Sequence, residues 1–108
     1  MTTIEQHPPY ATLINVFVVD PDRAGELAHL LGAATEQTMR YVPGFISANI
    51  HVSTDRTRVV NYAQWESAEH FQAMLADPTA RVHMDQCAVV ATSFDPHLYT
   101  VESVHGRG

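Results

Sequence analysis

The sequence predicts an α+β fold in one domain: a four-stranded antiparallel sheet with helices on one face. Three observations carry that expectation. Two alternating, β-branched runs, Phe45–Ser53 and Arg58–Trp65, are separated by a short polar turn and read as a hairpin. Two further runs of this kind lie towards the ends of the chain, at Thr12–Val19 and Phe94–Ser103. Between them stand two stretches with helical spacing, the second interrupted by proline. The resulting order, β-α-β-β-α-β, is the ferredoxin-like split pattern.

Each element has a local reason. Thr12–Val19 is apolar and β-branched and stops at Asp20-Pro21-Asp22, where Asp20 suits an N-cap and Pro21 the first helical position. The helix runs to about Arg40, with Leu27, Leu30, Leu31, Ala34 and Thr38 on one stripe, and Pro43-Gly44 turns the chain. In the second strand the even positions Ile46, Ala48, Ile50 and Val52 make an apolar face. The odd positions, including Asn49 and His51, make a mixed one. Thr54–Thr57 is the hairpin turn. Glu66 or Ser67 opens the next helix, with Ala68, Phe71, Met74 and Leu75 inward. Asp77-Pro78 breaks and restarts it, and the second piece, to about Ala88, presents Val82 and either Met84 or Cys87. Pro96 weakens the start of the last strand. Met1–Tyr10 reads as a flexible arm because Pro8-Pro9 forbids regular pairing; residues 11–104 form the domain and 105–108 a frayed tail.

Composition narrows the function classes. A chain of 108 residues buries roughly 65% of the surface exposed on unfolding, enough for one core and little more. Twelve acids against six Lys and Arg leave no basic stripe, which argues against a nucleic-acid partner. No run approaches the ~20 apolar residues of a membrane span, and the polar start lacks the pattern of a signal peptide. A single cysteine, Cys87, fits a reducing cytoplasm and reads as a small buried apolar residue. Seven histidines raise a metal question, but no two stand at i, i+4 or as HxH, so no metal site is expected. No GxGxxG or CxxC is present, so no dinucleotide or thiol-redox cofactor is expected either.

The apolar even face of the second strand is too hydrophobic to be left in water, which predicts a homodimer with two sheets packed face to face. The opposite face collects polar residues: Asn15 in parity with Phe17, Asn49 with His51, and Asn61 with Trp65. If that face meets the helices, amides, an imidazole and an indole converge where a structural core would use Val and Leu. Such a set suits an oxygenated aromatic ligand. Trp65 stacks, Asn61 hydrogen-bonds, His51 moves a proton, and together they stabilise an enolate or phenolate. The expected catalytic residues are therefore Asn61, Trp65 and His51. The expected substrate-binding residues are Asn15, Phe17, Asn49, Phe71, Met74, His83 and Met84. No nucleophile paired with a base is evident, so acyl-enzyme chemistry is unsupported.

The runs VPGFISANIHVSTD (Val42–Asp55) and VVNYAQWES (Val59–Ser67), followed by Asp77-Pro78, resemble the antibiotic biosynthesis monooxygenase family. They are most similar to its small quinone-forming polyketide monooxygenases. The resemblance implies a dimeric α+β barrel that oxidises anthrone-type aromatic polyketides to quinones with O2 and no flavin, haem or metal. It assigns Asn61, Trp65 and His51 to the family's asparagine, tryptophan and strand histidine. Phe71 stands where the family has tyrosine, and Met84 where it has arginine, with Arg81 and His83 nearby. The haem-degrading branch fits less well: Asn15 and Trp65 match, but Leu75 occupies the position of its haem-binding histidine. A polyketide cyclase or a non-catalytic aromatic-ligand-binding barrel protein would use the same cavity.

Overall fold

The computed structural model describes residues 1–108. In chain order it contains β1 (Ala11–Val18), α1 (Ala24–Gln37), β2 (Phe45–Val52), β3 (Arg58–Trp65), α2 (Ala68–Leu75), α3 (Pro78–Val90) and β4 (Ser93–Tyr99). The strands form one antiparallel sheet in the order β2-β3-β1-β4, the ferredoxin-like arrangement, with the helices on one face. No helix is long and apolar enough to cross a membrane.

Helix starts follow their caps. Asp20 accepts from the Asp22 N–H and opens a 3-10 turn, Pro21–Arg23, so α1 proper begins at Ala24, later than Asp20-Pro21 suggests. The expected end at Arg40 is likewise a separate 3-10 turn, Met39–Tyr41. Ser67 caps α2 through the His70 N–H, and Asp77 caps α3 through the N–H groups of Thr79 and Ala80. On α3 the buried residues are Ala80, Cys87 and Val90. Val82 is 56% exposed. It stands about 200° round the helix from Ala80, so the inward position expected for it is corrected. Pro96 is tolerated because β4 is an edge strand. That strand ends at Tyr99, and residues 100–108 form neither helix nor strand.

The main departure lies in β2. Phe45 pairs with Trp65, but Ser47 pairs with Gln64, so Ile46 is an extra residue in a β-bulge. Beyond it Ala48, Ile50 and Val52 stand opposite Ala63, Asn61 and Val59 and face the helices. Ser47, Asn49 and His51 stand opposite Gln64, Tyr62 and Val60 on the outer face. The expected assignment of both sides of β2 is thus reversed, because one inserted residue inverts a period-two pattern. The apolar residues of the outer face come instead from β1 and β3: Ile14, Val16 and Val60, beside Tyr62.

The N-terminal arm lies on that outer face rather than away from the domain. The Asn49 amide donates to Thr2 Oγ1, Thr2 Oγ1 donates to Ser47 Oγ (2.8 Å), and the Gln64 amide donates to the Thr3 carbonyl (2.7 Å). The His7 N–H reaches the Val101 carbonyl at 2.8 Å, which ties arm to tail. Gln64 is 1% exposed as a result.

Two positions in the connections yield stability predictions. Gly44 has φ +88°, and a Cβ there would overlap the Cβ and ring of His70. Gly44→Ala is expected to cost about 2 kcal/mol or more in denaturant unfolding, from left-handed strain plus overlap. Adding His70→Ala should recover only the part of the overlap due to the ring, because the Cβ that alanine keeps is itself in the way. In the hairpin turn, Asp55 Oδ1 accepts from Ser53 Oγ, the Thr57 N–H and Thr57 Oγ1. These bonds, the Ser53 one foremost, lower its carboxyl from 3.8 to about 2. The folded state therefore binds this proton less readily than the unfolded chain. The stabilisation is present above about pH 4 and is lost as the pH falls towards 2. Asp55→Asn should make the pH dependence of unfolding shallower across that window.

Candidate active site

Along β1 and β3 three facing pairs point at the helices in succession: Leu13–Ala63, Asn15–Asn61 and Phe17–Val59. The outer two belong to separate apolar clusters. One holds Phe17, Val59, Leu27, Leu31 and Cys87. The other holds Leu13, Ala63, Trp65, Phe71 and Met74. The polar pair between them marks where the core divides.

A cavity of about 550 Å³ occupies this division. That size is within the usual range of small-ligand sites, roughly 300–1,000 Å³. Its floor is the sheet: Leu13, Asn15 and Phe17 from β1, Asn61, Ala63 and Trp65 from β3, Phe45 and Ala48 from β2, and Phe94 and Leu98 from β4. Its other wall is helical: Thr35 of α1, Met39, then Phe71, Gln72, Met74 and Leu75 of α2, and Met84, Asp85 and Ala88 of α3. Phe45 meets the Trp65 ring edge-on at 5.6 Å, and Phe71 lies 6.3 Å from it, so the indole is held by aromatic contacts.

Two polar atoms in this apolar wall are buried without a partner, Asn61 Oδ1 and Trp65 Nε1. Trp65 is 2% exposed. A buried polar atom left unpaired costs about 1–3 kcal/mol, which a ligand supplying a donor and an acceptor would recover. The two residues stand four apart on β3, about 13 Å along the strand, so the cavity has two polar poles. The third polar group is already engaged on one side: Asn15 Oδ1 accepts from the Asp95 N–H at 3.2 Å.

Of the residues expected at the site, Asn15, Phe17, Asn61, Trp65, Phe71, Met74 and Met84 line this one cavity. Asn49, His51 and His83 do not. The bulge turns Asn49 and His51 to the outer face, where the Asn49 amide donates to the Tyr62 carbonyl and His51 is exposed beside the Asn49 carbonyl. The expected proton transfer by His51 inside this cavity is corrected accordingly. His83 falls about 100° round α3 from Met84, on the far side of the Ala80–Cys87 line from Ala88 and Asp85. Ionisable lining residues are Asp85 and His97, both exposed. Cys87 is buried outside the lining, and burial pushes its thiol up to about 11, which leaves it unreactive. Phe45, Ala48, Phe94, Leu98, Met39 and Asp85 were missed by the sequence reading. Strand parity would have found Phe94 and Leu98, since both pair with cavity residues of β1.

The sequence profile described as Antibiotic biosynthesis monooxygenase matches residues 11–86. Tetracenomycin-F1 monooxygenase of Streptomyces glaucescens is 47% identical over 91 residues, spanning 84% of this chain and 81% of the relative. The crystal structure of a monooxygenase from the gene ActVA-Orf6 of Streptomyces coelicolor, in complex with the ligand nanaomycin D, superposes with a TM-score of 0.82 at 30% identity, covering 92% of this chain and 93% of that one. SnoaB of Streptomyces nogalater, a cofactor-independent oxygenase, shares the fold at a TM-score of 0.77 and 20% identity, over 90% and 97% of the two chains. The chain is a monooxygenase of the antibiotic biosynthesis monooxygenase family.

Proposed function

We propose that this chain is a cofactor-independent monooxygenase that oxidises an anthrone-type aromatic polyketide to a quinone with O2, and that it works as a cytoplasmic homodimer. The observation that carries the reading is the pair of unpartnered atoms, Asn61 Oδ1 and Trp65 Nε1, in an otherwise apolar cavity. An apolar slot with one acceptor and one donor about 13 Å apart along a strand suits an elongated, fused-ring phenol with oxygens at both poles. The 47% identical relative acts on a tetracenomycin, and the ActVA-Orf6 structure holds nanaomycin D. The name of SnoaB as a cofactor-independent oxygenase is consistent with the absence of a cofactor motif in this sequence. The dimer is supported by Ile14, Val16 and Val60 on a sheet face that the helices leave uncovered.

The substrate supplies the electrons. Loss of a proton from the anthrone methylene is easy because the carbanion spreads into the ketone and the phenolic rings. Asn61 Oδ1 accepts from a phenolic hydroxyl, and the Trp65 N–H donates to an oxygen that gains charge during the reaction. The enolate gives one electron to O2, and recombination of the two radicals forms a carbon–oxygen bond. The hydroperoxide then loses water to leave the second carbonyl. In sum, CH2 plus O2 becomes C=O plus H2O, with no external reductant. The apolar walls exclude water from the intermediates. With His51 outside the cavity, the methylene proton leaves towards the exposed rim rather than to a histidine on the floor.

Purified protein should consume one O2 per hydroxyanthrone oxidised, well above the spontaneous rate, and should be inactive without oxygen. A cyclase would be indifferent to oxygen. Trp65→Phe should lower kcat/KM by roughly 10²-fold, the scale of losing one preorganised donor. His51→Ala should stay within about twofold of wild type. Rates equal to background across a panel of anthrones would sink the proposal.

A further inference from the structure

We infer that Asn15 and Asn61 form a donor–acceptor pair, its polarity set at the Asn15 end, that selects a substrate carrying a carbonyl and a hydroxyl on the same edge of its ring system, with Asn15 reading the carbonyl. The inference rests on the aromatic-polyketide reading above and adds the specificity it requires. An asparagine amide can turn over, so an isolated one reads donors and acceptors alike. Asn15 is not free in this way. It faces Pro96 across the β1–β4 pairing, and proline brings no N–H to the ladder. The neighbouring Asp95 N–H donates instead to Asn15 Oδ1 at 3.2 Å. Turning the amide over would set that N–H against an NH2 group and lose the bond. The carbonyl side of Asn15 is therefore held against β4, and its NH2 is the group left for the cavity.

Asn61 faces Asn15 directly from β3, and its Oδ1 is buried without a donor. Facing side chains in such a pair have Cβ atoms about 5 Å apart. One edge of the cavity floor thus offers an N–H donor beside an oxygen acceptor. A ligand satisfies both with a carbonyl oxygen towards Asn15 and a hydroxyl towards Asn61. A hydroxyl-free quinone leaves Asn61 Oδ1 unpaired, and a phenol without the carbonyl leaves the Asn15 donor unused. The backbone of β4, through one N–H, sets the polarity of the readout.

The test uses ligands that do not turn over, so it is separate from catalysis. Quenching of Trp65, the single tryptophan, reports binding of anthraquinone and of 2-hydroxyanthraquinone, whose hydroxyl lies on the same side as a carbonyl but too far from it to close an internal hydrogen bond. The wild-type protein should bind the hydroxylated ligand about tenfold more tightly, the scale of one satisfied buried hydrogen bond. Asn61→Ala should abolish that preference while leaving anthraquinone affinity within about twofold. Asn15→Asp keeps an acceptor for the Asp95 N–H but removes the donor, and should weaken both ligands about tenfold with the preference intact. If Asn15→Asp does not fold, Asn15→Ser carries the comparison, since its hydroxyl is too short to reach the same point. Unchanged affinities in the Asn15 variants, an equal loss of both ligands in Asn61→Ala, or no binding of either ligand to wild type overturns the inference. Oxygen uptake from hydroxyanthrones, measured alongside, reports on the proposed function alone: intact uptake with absent discrimination overturns only the pairing proposed here.

Discussion

The Asn15–Asn61 pair is the constraint on which the rest of the structure depends. Both strands are central, so their helix-facing side chains lie beneath the helices, and two facing amides are not packed there as apolar residues are. The core closes on either side of them, around Phe17, Val59 and Leu27 at one end and around Leu13, Trp65 and Phe71 at the other. It does not close between. The cavity lies where this one cross-strand position separates the two apolar clusters.

The chemistry follows from what the walls lack as much as from what they hold. Phe71 and Met84, a ring without a hydroxyl and a thioether, both line the cavity. On the sheet floor the hydrogen-bonding that remains is neutral: two amides and an indole. Neutral groups stabilise a delocalised enolate without competing for its proton, and they suit a reaction whose reducing equivalents come from the substrate. Ionisable groups are confined to the exposed rim, at Asp85 and His97.

Most of the fold was legible because its signals are local. Asp77-Pro78 and Ser67 announce helix starts through their capping bonds, and the run from Phe45 to Trp65 announces a hairpin. Half of the site was legible for a related reason. Asn61 and Trp65 sit four apart on one strand, so their shared face is fixed whichever way the strand turns. Asn49 and His51 lay beyond reach of this argument. Their relation to Asn61 passes through the β2–β3 pairing, and the bulge at Ile46 has no marker in the residues around it. His83 failed similarly, because which side of α3 meets the cavity is set by how α3 packs, not by its own spacing.

The sequence by itself determined the element order, the caps, the single polar stripe of β3 and the membership that the runs around Asn61 and Trp65 suggest. These are properties of residues close in the chain, where periodicity and capping act directly. Only the tertiary structure decided which side of β2 faces the helices, that the division of the core falls at the Asn15–Asn61 pair, and that the Asp95 N–H holds Asn15 in one orientation. Each of these depends on register between strands distant in sequence, and a shift of one residue reverses the outcome.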